Sequence, residues 1–187
     1  MSRRAVTDAL ERIAFAAELL DDPQAEAWGR ASWAVRNLEG DIAELRESGK
    51  LAKVRGIGKP ALEVIDALLA RESTDVLASM EARLPPGLFA IRTIKGLGPK
   101  KVKQLWEQLS ITTLGELEYA CRENRLVGLS GFGEKTQANV LAELDRLRSV
   151  RGALRRDQAR SLLDPIERAL WAVDEVASWP VLELSAG

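Results

Sequence analysis

The chain has 187 residues, and its 27 lysines and arginines nearly balance its 28 aspartates and glutamates, for a net charge of −1. It contains no histidine, and Cys121 is its one cysteine, which excludes a disulfide framework, imidazole metal ligands and any catalytic pair that needs histidine. Because the chain as a whole is not basic, any binding to nucleic acid must come from local clusters of positive charge.

Helical periodicity dominates the first half of the chain. Apolar residues at helical spacing predict a helix from Val6 to Leu20, and a second run from Trp28 to Leu45 keeps that spacing for about five turns. The second run predicts one long helix with Gly49 as its C-terminal cap. Acidic residues interrupt the apolar positions of the N-terminal stretch, so we predict neither a signal peptide nor a membrane span.

The second half is also predicted to be helical. The Pro-Pro-Gly sequence at residues 85–87 cannot continue a helix, so we place a domain boundary between residues 84 and 85. Pro99 is suited to open a helix, and Thr113 with Glu116 has the spacing of a capping box. The fold class is therefore all-α, with small helical domains at residues 1–84 and 85–150, and a segment at 151–187 that ends in a strand-like stretch at 181–184.

Three short stretches share one pattern, in which an apolar residue, any residue, a glycine, an apolar residue and a second glycine lead into a helix. The first glycines fall at positions 56, 96 and 131. The three copies are Val54–Gly58, Ile94–Gly98 and Leu129–Gly133, named here hairpins 1, 2 and 3.

This pattern suits the binding of phosphate. Glycines allow a tight turn and a close approach of the backbone, while the unpaired amides and the dipole of the following helix favour an anion. Neither a dinucleotide fingerprint nor a P-loop fits, because the strand context and the terminal Lys-Ser/Thr are missing. The candidate DNA-binding residues are Gly56, Gly58, Lys59, Gly96, Gly98, Lys100, Lys101, Lys103, Gly131, Gly133, Lys135 and Thr136.

The hairpins resemble the helix-hairpin-helix motif. In order and spacing, "DIAELRESGKLAKVRGIGKPALEVIDALL" followed by "LPPGLFAIRTIKGLGPKKVKQLWEQL" is similar to the N-terminal small domain and fingers subdomain of bacterial family X DNA polymerases. The resemblance covers roughly residues 3 to 150. It implies a monomer that binds double-stranded or gapped DNA in base excision repair, located in the cytoplasm at the nucleoid, with no membrane partner.

The tail at residues 162–187 resembles the entry to the palm of that family. The palm aspartates that hold two metal ions are absent from the sequence, so we expect no polymerase chemistry from this chain. We also expect the reading frame to continue beyond Gly187, because a lone strand lacks ladder partners.

The resemblance also implies a monovalent cation. No cofactor is expected to be required, but in the family the backbone carbonyls of a hairpin hold Na⁺ or K⁺ between the protein and a DNA phosphate. The matching positions are Ala52, Val54 and Ile57 in the first copy and Arg92, Ile94 and Leu97 in the second.

Two other functions stay open. In family members that are deoxyribose-phosphate lyases, a lysine one turn beyond the first hairpin forms the Schiff base, and the matching residue here is Val64, which cannot do so. The second alternative is a protein-interaction module with degenerate hairpins.

The tryptophans offer a separate signal, since exposed rings stack on bases in proteins that bind single strands. Trp28 and Trp106 fall on apolar helical faces and are predicted to lie in the core. Trp33 lies off that face, and we interpret it as packed against a neighbouring helix rather than as an exposed stacking platform.

Overall fold

The structure, a computed structural model, describes residues 2–71 and 73–150. These residues form helices and no strand, which confirms the all-α prediction. The helices are α1 (Arg3–Leu19), α2 (Ala25–Arg36), α3 (Ile42–Glu47), a 3₁₀ turn (Leu51–Lys53), α4 (Lys59–Arg71), α5 (Asp75–Glu81), α6 (Gly87–Ile91), α7 (Pro99–Leu109), α8 (Leu114–Arg122) and α9 (residues 134–150).

No helix within residues 2–71 and 73–150 is long and apolar enough to cross a bilayer. The predicted segment at 151–187, including its strand at 181–184, lies outside the described residues.

The prediction of one long second helix is wrong, because the chain breaks between α2 and α3. Gly40 adopts a left-handed conformation with φ of 91°, which an α-helix does not contain. The Asp41 carboxylate then caps α3 by accepting hydrogen bonds from the amides of Ala43 at 2.8 Å and Glu44 at 3.3 Å. Gly49, with φ of 68°, follows the end of α3, as predicted.

The core of the first half is formed where α1, α2 and α4 pack together. Leu10, Ile13, Val35 and Ile65 are all completely buried in it. Trp28 is only 5% exposed, which confirms its predicted core position. The apolar stripe on each helix thus faces a common core, as helical periodicity requires.

Helix α1 also contacts the second half of the chain. The rings of Phe15 and Phe89 meet edge to face with centroids 5.4 Å apart, and Arg92 Nη2 donates to Glu11 Oε2 at 2.8 Å. Residues 1–141 form one compact unit, and a second unit begins at residue 142. The domain boundary between residues 84 and 85 stays a prediction, and it falls in the short link between α5 and α6.

Local signals in the second half are confirmed by the structure. Pro99 occupies the first turn of α7, and Thr113 and Glu116 form the predicted capping box at the start of α8. Helix α6, which the sequence did not predict, packs closely on the chain before α8. The approach is so close that a Cβ at Gly87 would collide with the Thr112 carbonyl oxygen. Trp106, predicted for the core, is half-buried.

Candidate nucleic-acid interface

The three hairpins share one backbone conformation. Their first glycines, Gly56, Gly96 and Gly131, have φ values of 100°, 89° and 79°. This left-handed region is strained for residues with a side chain, so glycine at these positions is required by the turn itself.

The residue between the two glycines anchors each turn in the same way. In hairpin 1 the Ile57 amide donates to the Val54 carbonyl, with a distance of 3.1 Å from nitrogen to oxygen. The equivalent bonds, Leu97 to Ile94 and Phe132 to Leu129, are also 3.1 Å long. The three central side chains are 6%, 3% and 2% exposed, so each turn is fixed to the protein by a buried apolar residue.

The second glycine of each hairpin has a different reason to be glycine. Gly98 has φ of −76° and ψ of 172°, a conformation open to any residue, and none of the three second glycines has a positive φ. A Cβ at Gly98 or Gly133 would meet no described atom within 4 Å, and one at Gly58 would meet only the Pro60 ring at 3.8 Å. The fold therefore does not demand glycine here, whereas a ligand approaching from outside would.

A helix begins directly after each second glycine. Gly98 is the N-cap of α7, and no side chain caps that helix. The Val102 amide donates to the Gly98 carbonyl at 3.0 Å, and Leu62 donates to Gly58 at the same distance. The earlier amides of such a first turn point out of the helix, where they attract an anion.

The predicted lysines fall into two groups. Lys59, Lys100 and Lys135 are exposed next to hairpins 1, 2 and 3 respectively, so their ammonium groups are accessible to a phosphate. Lys103 differs, because only 18% of its side chain is exposed and its ammonium binds the Asp21 carboxylate. This hydrogen bond raises the pKa of Lys103, and its charge is largely compensated within the protein.

Hairpin 3 contacts α7, the helix that follows hairpin 2, through the remaining predicted lysine, Lys101. Lys101 Nζ lies 5.3 Å from the centroid of the Phe132 ring, a distance at which an ammonium and an aromatic face attract each other.

In hairpin 3 the Thr136 amide donates to the Gly133 carbonyl at 2.9 Å, so the predicted Thr136 lies in the first turn of α9.

Sequence reasoning missed a hydrogen bond that links α9 to the residues after α8. Gln137 is 7% exposed, and its Nε2 donates to Asn124 Oδ1 at 2.7 Å. Asn124 has φ of 54°, a conformation that asparagine tolerates better than most residues. A polar residue in the buried stripe of a helix was the available signal, but its partner lies too far along the chain to infer.

Trp33 corrects another interpretation. Its side chain is 67% exposed, so it is not packed against a neighbouring helix as we had inferred. The position of Trp33 off the apolar stripe of α2 was the signal in the sequence that its side chain is exposed.

Two of the six predicted cation ligands lie in equivalent hydrogen-bonded turns. The Val54 and Ile94 carbonyls, in equivalent positions, each accept one amide hydrogen bond and keep a second lone pair. The described residues contain no cluster of acidic or cysteine side chains that would hold a metal. Binding of a monovalent cation by the carbonyls of hairpins 1 and 2 stays a prediction.

Comparison with known proteins agrees with this geometry. Residues 90–146 match the family model of the SAM-like helix-hairpin-helix tandem. Hairpins 2 and 3 form a helix-hairpin-helix tandem. Membership of one tandem explains why hairpins 2 and 3 share a turn geometry. Hairpin 1 has the same turn geometry but lies outside the matched range.

Two kinds of relative extend the similarity. The chain is 32% identical over 146 residues, or 77% of its length, to the DNA polymerase/3'-5' exonuclease PolX of Bacillus subtilis. It is also 32% identical over 92 residues, or 49% of its length, to the DNA ligase of two Limosilactobacillus reuteri strains. The chain covers 25% of PolX and 12% of each ligase. The similarity to PolX confirms the resemblance to a family X polymerase.

Proposed function

We propose that this protein binds DNA through its sugar-phosphate backbone, with the three hairpins as phosphate-binding turns. The observation that carries the proposal is the set of second glycines, which neither backbone strain nor packing requires. A phosphate that accepts hydrogen bonds from the amides beyond each glycine needs an approach that a Cβ would obstruct.

The binding does not select a base sequence. Backbone amides and lysine ammonium groups contact phosphate oxygens, which are the same at every nucleotide. Reading a base edge needs side chains such as arginine or asparagine presented in a groove by a helix or a strand. The hairpins supply the first kind of contact, and it is their repetition that gives affinity.

The biological role that we propose is the positioning of DNA for a repair polymerase. The similarity to PolX over 146 residues supports this role, and the similarity to DNA ligase supports a task common to enzymes that act on DNA. The substrate is double-stranded or gapped DNA, bound by a monomer in the cytoplasm.

A monovalent cation belongs to this proposal. Na⁺ or K⁺ bound by the carbonyls of Ala52, Val54 and Ile57, or of Arg92, Ile94 and Leu97, would add positive charge next to a phosphate without any acidic side chain. Carbonyl oxygens are hard ligands suited to such ions. The dissociation constant for duplex DNA is therefore expected to be lower in KCl than in tetramethylammonium chloride of the same ionic strength, and equal constants would contradict the cation.

An abasic-site lyase is the competing enzyme, and the burial of Val64 speaks against it. Val64 is 2% exposed and belongs to the core formed by α1, α2 and α4, so the position holds an apolar packing residue and no nucleophile. We expect no covalent adduct when borohydride is added to the protein with an incised abasic duplex. A trapped covalent adduct would show that the protein is an abasic-site lyase after all.

The salt dependence of binding tests the proposed function. If three or four phosphates are neutralised, the dissociation constant rises roughly 40- to 150-fold between 50 and 200 mM KCl. Fluorescence anisotropy with two duplexes of unrelated sequence measures this change and should give the same curve for both. A flat salt response, or a strong preference for one sequence, would overturn the proposal, and no binding at low salt would favour a protein-interaction module.

The three lysines of α7 provide a matched comparison. Replacing Lys100 and Lys101 with alanine removes two cations beside hairpin 2 and should reduce the slope of log K against log salt by about 1.8. Lys103→Ala is the control, because Asp21 already compensates that charge, and its slope should change much less. A slope change of about 0.9 for Lys103→Ala, the same per charge removed as in the double variant, would mean that the net charge of α7, rather than hairpin 2, governs binding.

A further inference from the structure

A cavity of about 680 Å³ lies between α2 and hairpin 1, and Trp33 lines it. Among the large hydrophobic residues that the structure describes, Trp33 is the most exposed. We name it the Trp33 cavity. It is lined by Glu26, Gly29, Arg30, Trp33, Arg55 and Gly56.

The position of Trp33 is fixed relative to hairpin 1. A Cβ built on Gly56 would lie 3.3 Å from the Arg30 carbonyl oxygen and 3.5 Å from the Ala34 Cβ, so the turn rests directly on α2. Ala34 is 5% exposed, which makes this contact part of the core. The part of α2 that carries Trp33 is therefore fixed beside the turn.

The charges of the cavity favour an anionic occupant. Arg30 and Arg55 contribute two guanidinium groups, against one carboxylate from Glu26, which lies 3.4 Å from Arg30. An indole face next to arginine side chains attracts a planar, electron-rich ring.

We infer that the Trp33 cavity binds a single unpaired nucleotide, with its base stacked on Trp33 and its phosphate at hairpin 1. This inference rests on the proposed binding of phosphate by the hairpins. A nucleotide joins a planar base to a phosphate through one sugar, which matches an indole ring next to a phosphate-binding turn. The base must be unpaired, because a base inside a duplex has both faces covered by its neighbours.

The consequence is a preference for DNA ends and gaps over continuous duplex. Stacking of one base on an aromatic side chain changes affinity by fivefold or more. The protein would thus recognise DNA with an unpaired nucleotide through Trp33, in addition to the phosphate contacts that it makes with any duplex.

The test compares two 5′-phosphorylated duplexes of equal length, one blunt and one with a single unpaired nucleotide at its 5′ end. Wild-type protein should bind the second at least about fivefold more tightly. Trp33→Ala should abolish this difference without weakening binding to the blunt duplex, and Trp33→Phe should restore part of it. Tyr119→Ala is the matched control, since Tyr119 is 61% exposed and lies on α8.

A spectroscopic signature separates stacking from a general effect on the fold. With 2-aminopurine as the unpaired base, wild-type protein should quench its fluorescence and Trp33→Ala should not, while both proteins melt at the same temperature. An unchanged preference and unchanged quenching in Trp33→Ala would overturn this inference alone. Failure of wild-type protein to bind either duplex would overturn the proposed function and the inference with it.

Discussion

Replacing Gly98 with serine should stabilise the protein and weaken its binding to DNA. Gly98 is the N-cap of α7, and no side chain fills that role. Serine is a better N-cap than glycine, because its hydroxyl accepts a hydrogen bond from one of the first amides of the helix. The backbone angles of Gly98, φ of −76° and ψ of 172°, suit serine without strain.

The two effects have opposite signs because they involve the same amides. A cap and a less flexible unfolded chain together raise the free energy of unfolding by about 0.3–1 kcal/mol. The serine hydroxyl then occupies an amide of Lys100 or Lys101 that would otherwise bind a phosphate. Loss of one hydrogen bond to a charged group costs about 1.5–3 kcal/mol, so the dissociation constant should rise roughly 10- to 150-fold.

Urea unfolding and anisotropy with a duplex measure the two quantities on one preparation. Gly115→Ala is the control, because a Cβ at Gly115 also meets no described atom within 4 Å and the residue lies in α8, outside the three hairpins and their following helices. It should raise stability and leave affinity unchanged. A Gly98→Ser protein that is more stable and binds DNA as wild type does would refute the role of these amides.

Three further predictions concern the fold that supports the hairpins. Gly96→Ala, at φ of 89°, should lower the free energy of unfolding by about 1–2 kcal/mol, measured by urea titration; an unchanged midpoint would contradict the strain. Cys121 is 1% exposed, and burial raises its pKa to about 11, so it should react with a disulfide reagent at pH 8 only after unfolding, and rapid reaction of the native protein would show an open site. Hydrogen bonds from the Thr112 amide and hydroxyl and from Thr113 hold the pKa of Glu116 below its ordinary value. The stability that ionised Glu116 contributes is therefore fully present above the pKa of Glu116 in the unfolded chain, and it is lost as pH falls through the pKa in the folded protein. Glu116→Gln should therefore lose less stability than wild type on acidification, and parallel acid unfolding curves would argue against this.

The hairpins were predictable because the turn depends on residues next to one another. A left-handed glycine, a buried residue and a helix start leave the same local pattern in the sequence each time. The positive φ values at Gly56, Gly96 and Gly131 therefore agree with a register inferred from spacing alone. Pro99 and the capping box of α8 were predictable for the same reason.

Other features depend on contacts that spacing does not encode. Leu38 and Ile42 are four residues apart and continue the helical period, so nothing in the apolar pattern marks the break at Gly40. The pairing of Lys103 with Asp21 joins residues 82 positions apart. Such a contact decides whether a lysine is available to DNA, and only the folded chain reveals it.

Amide chemical shifts during a titration of ¹⁵N-labelled protein with duplex DNA test the central claim most directly. The account predicts the largest changes at the second glycines and at the first amides of α4, α7 and α9, in equal measure for duplexes of unrelated sequence. Hairpin amides that stay unshifted at saturation, with changes concentrated on α1 or α8 instead, would contradict it.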